Sequence, residues 1–543
     1  MYDYIIVGAG SAGCVLAHRL SADPAIRVLL LEAGPSDWHP FIHMPAGLAK
    51  LVGKKGVNWD YTTEPVPGLG GRRLWWPRGK VLGGSSSINA MCYIRGHALD
   101  YDRWAQAGAA GWDWDGVLPY FLKAEDNSRG ASALHGAGGP LGVSDPSHVN
   151  PLSRAFVLAG QQAGFATSDD FNGPRQEGFG YYQTTTRHGH RSSSAEAYLK
   201  PARARPNLTV VTHALAREVL FDGRRATGIS YSVAGGDPVR ATAQREVVLA
   251  GGALNSPHLL MLSGLGPADE LRGHGIAVRA DLPGVGGNLQ DHLDVCTMQR
   301  CTQPITYDHT NDLAIGLNYY LFRRGAGTSN IAEAGGFVRS ELATDERPDL
   351  QFHFVPAQLD DHGRNRLPGH GYTMHACFLR PRSRGRLHLA NGDAATKVRI
   401  DAGYLSDADG FDLRVLREAV ALSRHVLAQP AFDAFRGEEL FPGAQVRDAE
   451  GIADFIRRKA ESIYHPVGTC RMGSADDANA VVDPQLRVRG IDGLRVVDAS
   501  VMPSLIGGNT NAPTIMIAER AADLILGKAA STAPRAAEHA IAS

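Results

Sequence analysis

The chain has 543 residues, which at ~150 residues per domain predicts two to four domains, and its hydrophobic content of 43% is enough for full cores. The 55 basic and 56 acidic residues are nearly balanced, which argues against nucleic-acid binding, because such binding needs a basic surface. The six cysteines contain no C-x-x-C pair and are too few for a disulfide framework in so long a chain, so we expect free thiols.

The chain opens with a strand, a glycine turn and a helix. Residues 3–7 form a short apolar run, and residues 14–20 carry apolar side chains at helical spacing. Between them, Gly8 permits a tight turn, Gly10 lets the backbone approach a pyrophosphate, and Gly13 allows the helix to pack closely on the strand. The free N–H groups at the helix N-terminus suit the anion. This pattern predicts a dinucleotide cradle made mostly of backbone.

A second apolar run, residues 28–31, ends in Glu32. This acid lies about 20 residues after the glycines, where a carboxylate can accept a hydrogen bond from an adenosine ribose. We include the adjoining Ala33, and Ser11 of the glycine turn, in the predicted cofactor site. The order of strand, helix, strand and acid predicts dinucleotide binding, but it does not separate FAD from NAD.

The next part of the chain changes character twice. Residues 34–84 are rich in Gly, Pro and Trp without periodicity, which predicts an extended segment that covers a ligand. Residues 207–233 alternate β-rich runs with an Asp-Gly turn, which predicts an antiparallel insertion. Residues 247–250 and the helical run 257–263 then indicate a return to the nucleotide-binding sheet.

A second domain is indicated between residues 293 and 486. Strand-like runs at 350–355 and 372–379 are followed by helical runs at 413–427 and 452–459. We predict a substrate-binding domain here, with a largely antiparallel sheet covered by helices, placed over the cofactor.

The end of the chain returns to the first domain. Residues 494–500 predict a strand that ends at an acid, and residues 514–526 predict a closing helix. The nucleotide-binding domain is therefore expected to be discontinuous and Rossmann-like, formed by residues 1–292 and 487–527, with a flexible tail at 528–543. The predicted fold class is α/β, or α+β overall.

Two long motifs, residues 77–96 and 252–267, read PRGKVLGGSSSINAMCYIRG and GALNSPHLLMLSGLGP. Together with the N-terminal glycines and the segments 464–466 and 508–511, they resemble the glucose-methanol-choline (GMC) family of flavin oxidoreductases. The resemblance reaches to about Leu526. Within the family, the chain is similar to bacterial alcohol dehydrogenases of the alkane-oxidation pathway, and choline dehydrogenases are the nearest alternative. The resemblance implies that the cofactor is FAD.

The resemblance also implies how the cofactor is held. In some members a histidine just before the asparagine of the first motif bonds covalently to the flavin. Ile88 stands there, before Asn89, so noncovalent FAD is expected. The implied cofactor contacts are Val81, Gly84, Asn89 and Met91 along the isoalloxazine ring, Val219 beside the adenine, Asp498 and Ala499 near the pyrophosphate or ribityl chain, and Thr510.

His465 and Asn509 are the predicted catalytic pair. An alcohol loses a hydride from carbon only if its hydroxyl proton leaves as well, so a base is needed beside the flavin. Histidine suits this role because its unperturbed pKa of ~6.5 keeps it largely neutral at physiological pH. We predict that His465, which precedes Pro466, is the base. The amide of Asn509 would then orient the alcohol oxygen and stabilise developing alkoxide.

The predicted reaction is the FAD-dependent oxidation of primary, medium-chain aliphatic alcohols to aldehydes, with electrons passed to a quinone-type acceptor. Choline dehydrogenase and an oxidase that uses O2 are the alternatives. Glu333 occupies a position where choline-oxidising relatives carry an acid that could pair with the substrate cation, so it is a candidate substrate residue. A flavin protein without redox turnover, such as a lyase, is a third hypothesis.

We predict no metal site, because there is no H-E-x-x-H motif and the pair His188-Gly-His190 lacks other nearby ligands in sequence. The chain begins directly with a strand and contains no run of ~20 apolar residues, so we expect a cytoplasmic protein. Peripheral contact with the inner face of the cell membrane stays open. The expected partners are a small-molecule alcohol and a quinone or other electron acceptor, and the oligomeric state is left open.

Overall fold

Two seven-stranded sheets organise the chain in the computed structural model, which describes residues 1–365 and 367–529. One sheet is mostly parallel and is built from both ends of the chain, and the other is antiparallel. The tail predicted at 528–543 lies outside the described residues except for its first two.

The parallel part of the first sheet carries the glycine turn. Its strands are buried, and their Val, Ile and Leu runs suit a sheet that is covered on both faces. In register, Ile6 pairs with both Leu30 and Val248. In spatial order the strands are Leu208–Val211, Val28–Leu31, Tyr2–Val7, Val239–Leu249 and Leu494–Val496.

An antiparallel ribbon extends this sheet. It consists of Ala214–Asp222, Arg225–Val233 and the first half of Val239–Leu249, which bends from the ribbon into the parallel sheet. The insertion predicted at 207–233 needs one correction. Leu208–Val211 pairs in parallel with Val28–Leu31, because its apolar residues extend the buried sheet instead of the ribbon.

Helices from distant parts of the chain cover the first sheet. Ser11–Leu20 packs against Asn511–Ile525, and Arg19 forms ion pairs with Glu519 and Asp523 across that contact. The end of the chain therefore closes the domain that its beginning opens, as the discontinuous fold class predicts. Further helices in the N-terminal region are Ala98–Gln106, Trp114–Ala124 and Gly252–Leu262.

The second sheet is antiparallel. Helix Phe411–Leu427 packs on it through a buried stripe that includes Val415, Ala419 and Val420, while Ala449–Lys459 and Pro151–Gln162 pack beside that helix. In spatial order the strands are Arg436–Phe441, Leu293–Cys301, Gly371–Phe378, Leu350–Val355, Ala334–Val338 and Gly178–Tyr181, and Glu461–Ser462 also pairs with Leu293–Cys301.

One edge strand of this sheet departs from the predicted domain limits. Gly178–Tyr181 belongs in sequence to the region 1–292, yet it pairs with Ala334–Val338. The predicted substrate-binding sheet at 293–486 is therefore completed by an N-terminal segment. A four-residue strand with two glycines gives little periodic signal, which explains why the sequence pattern did not place it there.

Short elements fill the connections. Within the predicted covering segment, Pro40–His43 and Leu48–Leu51 are helical and Tyr61–Thr62 pairs with Trp75–Trp76. Among the described residues, none of the helices is both long and apolar enough to cross a bilayer. The other elements are strands Glu125–Asn127, Leu141–Val143, Thr186–Arg187, His190–Arg191, Leu265–Gly266, Ala280–Asp281, Arg386–His388 and Arg399–Asp401, helices Lys200–Ala202, Ala268–Gly273 and Asp312–Phe322, and single turns at Pro45–Gly47, Pro67–Leu69, Gly84–Ser87, Ala195–Leu199, Gly325–Thr328, Asp361–Gly363, Pro430–Phe432 and Ala499–Val501.

Candidate active site

A cavity of ≈ 690 Å³ is lined by residues of both sheets. Gly8 and Gly10 of the first turn line one part of it, and His465 and Asn509 line another. A volume of this size suits a cofactor or a comparably large ligand. The structure therefore brings the predicted nucleotide cradle and the predicted catalytic pair, which are more than 400 residues apart in sequence, to one cavity.

The glycines of the cradle are required by close backbone contacts. A Cβ atom on Gly13 would lie 1.8 Å from the carbonyl oxygen of Gly8, so helix and strand could not pack as they do. A Cβ atom on Gly84, whose φ is +54°, would lie 2.7 Å from the Cα atom of Gly10. Gly10 caps the first helix without a side-chain hydrogen bond, which leaves backbone N–H groups for an anion.

Glu32 stands at the end of the second strand, as predicted. Its carboxylate accepts hydrogen bonds from the backbone N–H groups of Ala9, at 2.9 Å, and Gly34, at 2.8 Å. Burial raises the pKa of Glu32 to about 7. The two bonds hold the carboxylate against the turn, and its oxygens retain lone pairs for a ribose hydroxyl.

Asp498 joins the last strand to two other segments of the site. Its carboxylate accepts hydrogen bonds from the N–H group of Gly252 at 2.8 Å, the hydroxyl of Ser256 at 2.6 Å and the N–H group of Ser500 at 2.8 Å. Burial raises the pKa of Asp498. Asp498 thus fixes the start of helix Gly252–Leu262 beside the cavity.

Most of the predicted cofactor residues line the cavity, and their assigned roles stay predictions. Three do not line it: Gly13 packs beneath the turn, Val81 packs with Ile88 and its neighbours, and Val219 donates its N–H group to Ser263. Near Val219, residues 214–216 reach the cavity instead. The predicted residues that line it are Gly8, Gly10, Ser11, Glu32, Ala33, Gly84, Asn89, Met91, Asp498, Ala499 and Thr510.

The catalytic pair is held in a defined orientation. The amide nitrogen of Asn509 lies 3.2 Å from Nε2 of His465, and its amide oxygen accepts a hydrogen bond from Nε2 of Gln351 at 3.0 Å. Because an amide nitrogen only donates, Nε2 of His465 accepts and the ring proton resides on Nδ1. That nitrogen lies 3.0 Å from Nδ1 of His292, which then accepts a hydrogen bond from it. The lone pair of the His465 ring is therefore on Nε2, where it accepts the hydrogen bond from Asn509.

The backbone around His465 is also fixed. Its N–H group donates to a carboxylate oxygen of Asp291 at 2.6 Å, and the other oxygen accepts from the hydroxyl groups of Tyr404 and Ser462. Tyr464, the preceding residue, has a φ of +70°, a conformation that a bulky residue adopts only when its surroundings impose it. These contacts determine where the imidazole points.

The electrostatics keep His465 neutral. Burial lowers the pKa of His465 well below its usual value, and the neighbouring His292, His353 and Arg78 lower it further. Burial likewise lowers the pKa of His292 to about 3 and that of His353 to about 4. A neutral imidazole whose unprotonated nitrogen is Nε2 can accept a proton from an alcohol that displaces the Asn509 amide from it.

Four residues of this network were not predicted from the sequence: Asp291, His292, Gln351 and His353. Gln351 and His353 lie on strand Leu350–Val355 at alternate positions, and His353 faces the cavity. The strand reads as a buried apolar run interrupted by polar residues, which was the available signal. The adjacent Asp291 and His292 precede a strand without any motif spacing, so no pattern identified them.

Glu333 does not line the cavity. Its fully buried carboxylate accepts hydrogen bonds from the N–H group of Asn150 at 2.7 Å and from the hydroxyl groups of Ser153 at 2.8 Å and Ser329 at 2.6 Å. The hydroxyl of Tyr307 donates to it as well. Glu333 thus ties residues 150–153 of the N-terminal region and Tyr307 to the segment that carries Ser329 and Glu333.

Two clusters of potential metal ligands occur in the described part of the chain. His190 lies with His43 and Glu196, and Asp294 lies with Cys296 and His375, the ligand atoms of each cluster being within 4.8 Å of one another. In the second cluster Nδ1 of His375 is 2.6 Å from Asp294, which is an ordinary histidine–carboxylate hydrogen bond. The expectation of no metal site stays a prediction.

Family models and similar proteins agree with this architecture. GMC oxidoreductase models match residues 2–294 and 381–518. An alcohol dehydrogenase [acceptor] of Pseudomonas putida is 51% identical over 535 residues, covering 97% of this chain and 96% of that protein. The mitochondrial choline dehydrogenase of Homo sapiens is 50% identical, covering 97% and 90%. The crystal structure of pyridoxine 4-oxidase from Mesorbium loti superimposes with a TM-score of 0.88 at 35% identity, covering 96% and 98%.

The fold and the cavity define a flavin-dependent oxidoreductase. The chain belongs to the GMC oxidoreductase family. The predicted class of enzyme, an FAD-dependent alcohol dehydrogenase, is confirmed. FAD fits the cavity, because the glycine turn, the free helix N-terminus and Glu32 supply the groups that a dinucleotide needs.

Proposed function

We propose that the protein oxidises uncharged primary alcohols of medium chain length to aldehydes and passes the electrons to a quinone-type acceptor. The amide of Asn509, which donates to Nε2 of His465 in this structure, donates to the alcohol oxygen when the substrate is bound. Nε2 of His465 is then released to accept the hydroxyl proton. Bound FAD supplies the hydride acceptor, at the flavin N5 atom. The alcohol thus loses one hydride and one proton and leaves as an aldehyde.

The observation that carries this proposal is the composition of the cavity wall contributed by the second domain. That wall carries aliphatic side chains among polar and aromatic ones, and the aliphatic side chains can bury an alkyl chain whose hydroxyl group reaches His465. The aliphatic residues of this wall are Ile331, Ala332, Val355, Ala357, Leu359, Leu367, Ala394 and Ile463.

Carboxylates in the cavity give no support to a cationic substrate. Those that line it in the described residues are Glu32, Asp308 and Asp498, and each accepts at least two hydrogen bonds from the chain. Choline recognition needs a carboxylate or aromatic faces around its cation. Glu333, the candidate acid for choline, is bonded on both oxygens and points elsewhere.

Two of the aromatic rings that line the cavity, Trp59 and Trp75, also contact cations of the chain. The Arg364 guanidinium lies 4.9 Å from the centre of the Trp75 ring, and the ammonium group of Lys80 lies 4.7 Å from that of Trp59. Both tryptophans line the cavity. Because these rings already contact cations of the chain, they favour an uncharged substrate over choline.

An anaerobic titration tests the proposed function. The flavin spectrum is recorded during additions of 1-octanol, benzyl alcohol or choline in parallel, and then air or a soluble quinone is admitted. We expect 1-octanol to bleach the flavin fastest and quinone to restore the colour faster than air. An unchanged spectrum with every alcohol would contradict the redox function, and faster recovery in air would identify an oxidase.

Noncovalent binding of FAD gives a further prediction. Ile88 lines the cavity at the position implied for a flavin-bonded histidine, and its side chain cannot form such a bond. Acid precipitation of the yellow protein is therefore expected to release all the FAD into the supernatant, as measured by its absorbance. Flavin colour that stays with the pellet after washing would show a covalent bond through another residue.

The environment of His465 predicts the pH dependence of flavin reduction. Since its pKa is lowered, the imidazole stays neutral as the pH falls through ~6.5, the usual value for histidine. The rate of anaerobic reduction by 1-octanol should therefore stay nearly constant between about pH 6 and 8 and fall only at lower pH. Stopped-flow measurements check this. An acid limb centred at or above ~6.5 would mean that His465 is not held neutral.

A further inference from the structure

One helix of the second domain, Asp312–Phe322, exposes large apolar side chains to solvent. Leu313, Leu317, Tyr320 and Leu321 follow the spacing of one helix face, and Phe322 extends the surface at the C-terminal end. Their exposure runs from 46% to 73%. We call these five residues the apolar face.

This concentration of exposed apolar side chains is local. In the described part of the chain, ten large apolar residues are exposed, and five of them form the apolar face. Scattered exposed leucines are ordinary on soluble proteins, whereas a contiguous apolar surface marks a site of contact. The helix has a single buried residue, Tyr319, whose hydroxyl donates to the carbonyl oxygen of His43 at 2.9 Å. The helix is therefore anchored on one side and open on the other.

Basic residues flank the apolar face. The helix is followed by Arg323 and Arg324, and the segment 48–55 beside it carries three lysines. Lys50 of that segment forms an ion pair with Asp312 at 2.8 Å, which places the segment next to the helix. Asp312 is the only acid in residues 48–55 and 311–324, against five basic residues. The surface is thus apolar with a basic margin.

The helix also lies at the edge of the catalytic cavity. Tyr307, Asp308 and His309, just before the helix, line the cavity, and so do four residues of segment 48–53. Contact of the apolar face with another phase therefore brings an edge of the cavity close to that phase.

We propose that the apolar face and its basic margin dock the protein onto the surface of an anionic lipid bilayer. Apolar side chains of an interfacial helix enter the acyl boundary, and flanking lysine and arginine side chains contact anionic headgroups. The docking depends only on the apolar face and its basic margin. The further consequence, that a lipophilic alcohol and a quinone reach the cavity from the bilayer, rests on the proposed function.

The charge of the basic margin favours an anionic bilayer over a second copy of this chain as the occupant of the apolar face. In an isologous dimer the same surface meets itself, so the basic margins of two copies would approach each other. Five basic residues and one acid on each side would repel, whereas an anionic headgroup layer attracts them. The bilayer is the occupant that matches both the apolar face and its margin.

Co-sedimentation with vesicles tests the proposal on the full-length holoenzyme. The vesicles are made of phosphatidylcholine alone or of phosphatidylcholine with phosphatidylglycerol. The test variant combines Leu313→Ser, Leu317→Ser and Leu321→Ser. The matched control combines Leu158→Ser, Val233→Ser and Val239→Ser, which are also exposed but lie elsewhere. A third variant, Arg323→Gln with Arg324→Gln, tests the margin. Each variant is also assayed with a soluble dye as electron acceptor.

We expect the wild type and the control to sediment with anionic vesicles and the apolar-face variant to bind at least tenfold more weakly, because three apolar side chains no longer enter the acyl boundary. The arginine variant should lose the preference for phosphatidylglycerol. Activity with the soluble dye should be equal in all four proteins. Equal sedimentation of the test variant and the control would overturn the proposal, as would a dimer that only the test variant disrupts. Failure of dye reduction by every alcohol would instead refute the proposed function and leave the vesicle result intact.

Discussion

Replacement of His465 by alanine is expected to slow anaerobic reduction of the flavin by 1-octanol by roughly 10²–10⁴, while FAD stays bound. The reason is that Nε2 of His465 is the unprotonated nitrogen of the ring, beside Asn509, and that the imidazole is held neutral. Without it, the hydroxyl proton must leave to water. Stopped-flow absorbance measures the rate, and the protein-bound flavin spectrum reports FAD retention.

Two other variants make this result specific. Asn509→Ala should reduce the rate less than His465→Ala, because water can replace one hydrogen bond to the alcohol oxygen. His425→Ala removes an exposed histidine on the outer helix of the second domain and should leave the rate unchanged. Normal reduction by the His465→Ala protein would show that another group accepts the proton.

From 1-butanol to 1-octanol, kcat/KM is expected to rise by up to about 200-fold. Each methylene group that enters the aliphatic wall contributes up to ~0.8 kcal/mol, so four of them contribute up to ~3.2 kcal/mol. The aliphatic residues that the second domain contributes to the cavity wall supply the apolar surface. Steady-state assays with a soluble acceptor over the series of alcohols measure how kcat/KM depends on chain length. The chain length at which kcat/KM stops rising reports the length of the channel.

Choline is tested in the same assay as the alternative substrate. It should reduce the flavin more slowly than 1-hexanol or 1-octanol, because the cavity carboxylates already accept hydrogen bonds from the chain. A flat response to chain length would remove the argument from the aliphatic wall. Faster reduction by choline would overturn the choice of substrate and make Glu333, with its four donors, the first residue to replace.

The first sheet was predictable because each of its signals is local. The run at 28–31 appears as strand Val28–Leu31, and the helical spacing at 14–20 appears within helix Ser11–Leu20. In the second domain, the run at 350–355 is strand Leu350–Val355. Apolar periodicity reports burial of one element, so it predicts existence and type better than partners. It could not show that Leu208–Val211 joins the parallel sheet.

The candidate site likewise contains residues that were predictable from the sequence and residues that were not. Gly8, Gly10, Glu32, His465 and Asn509 were predictable because short motifs and the family resemblance carry them, and the structure brings all five to one cavity. The sequence by itself therefore determined the class of chemistry, since turns, helix N-termini and strand ends depend on neighbouring residues.

Only the tertiary structure decided how the catalytic pair is oriented and what Glu333 does. Gln351 reaches Asn509, and the adjacent Asp291 and His292 reach His465, from segments that are distant in sequence, and no spacing along the chain encodes those contacts. Glu333 has the same side chain whether it faces a substrate or four donors of the protein. The difference lies in long-range packing, which sets the burial, the hydrogen-bond partners and hence the charge state of each polar group.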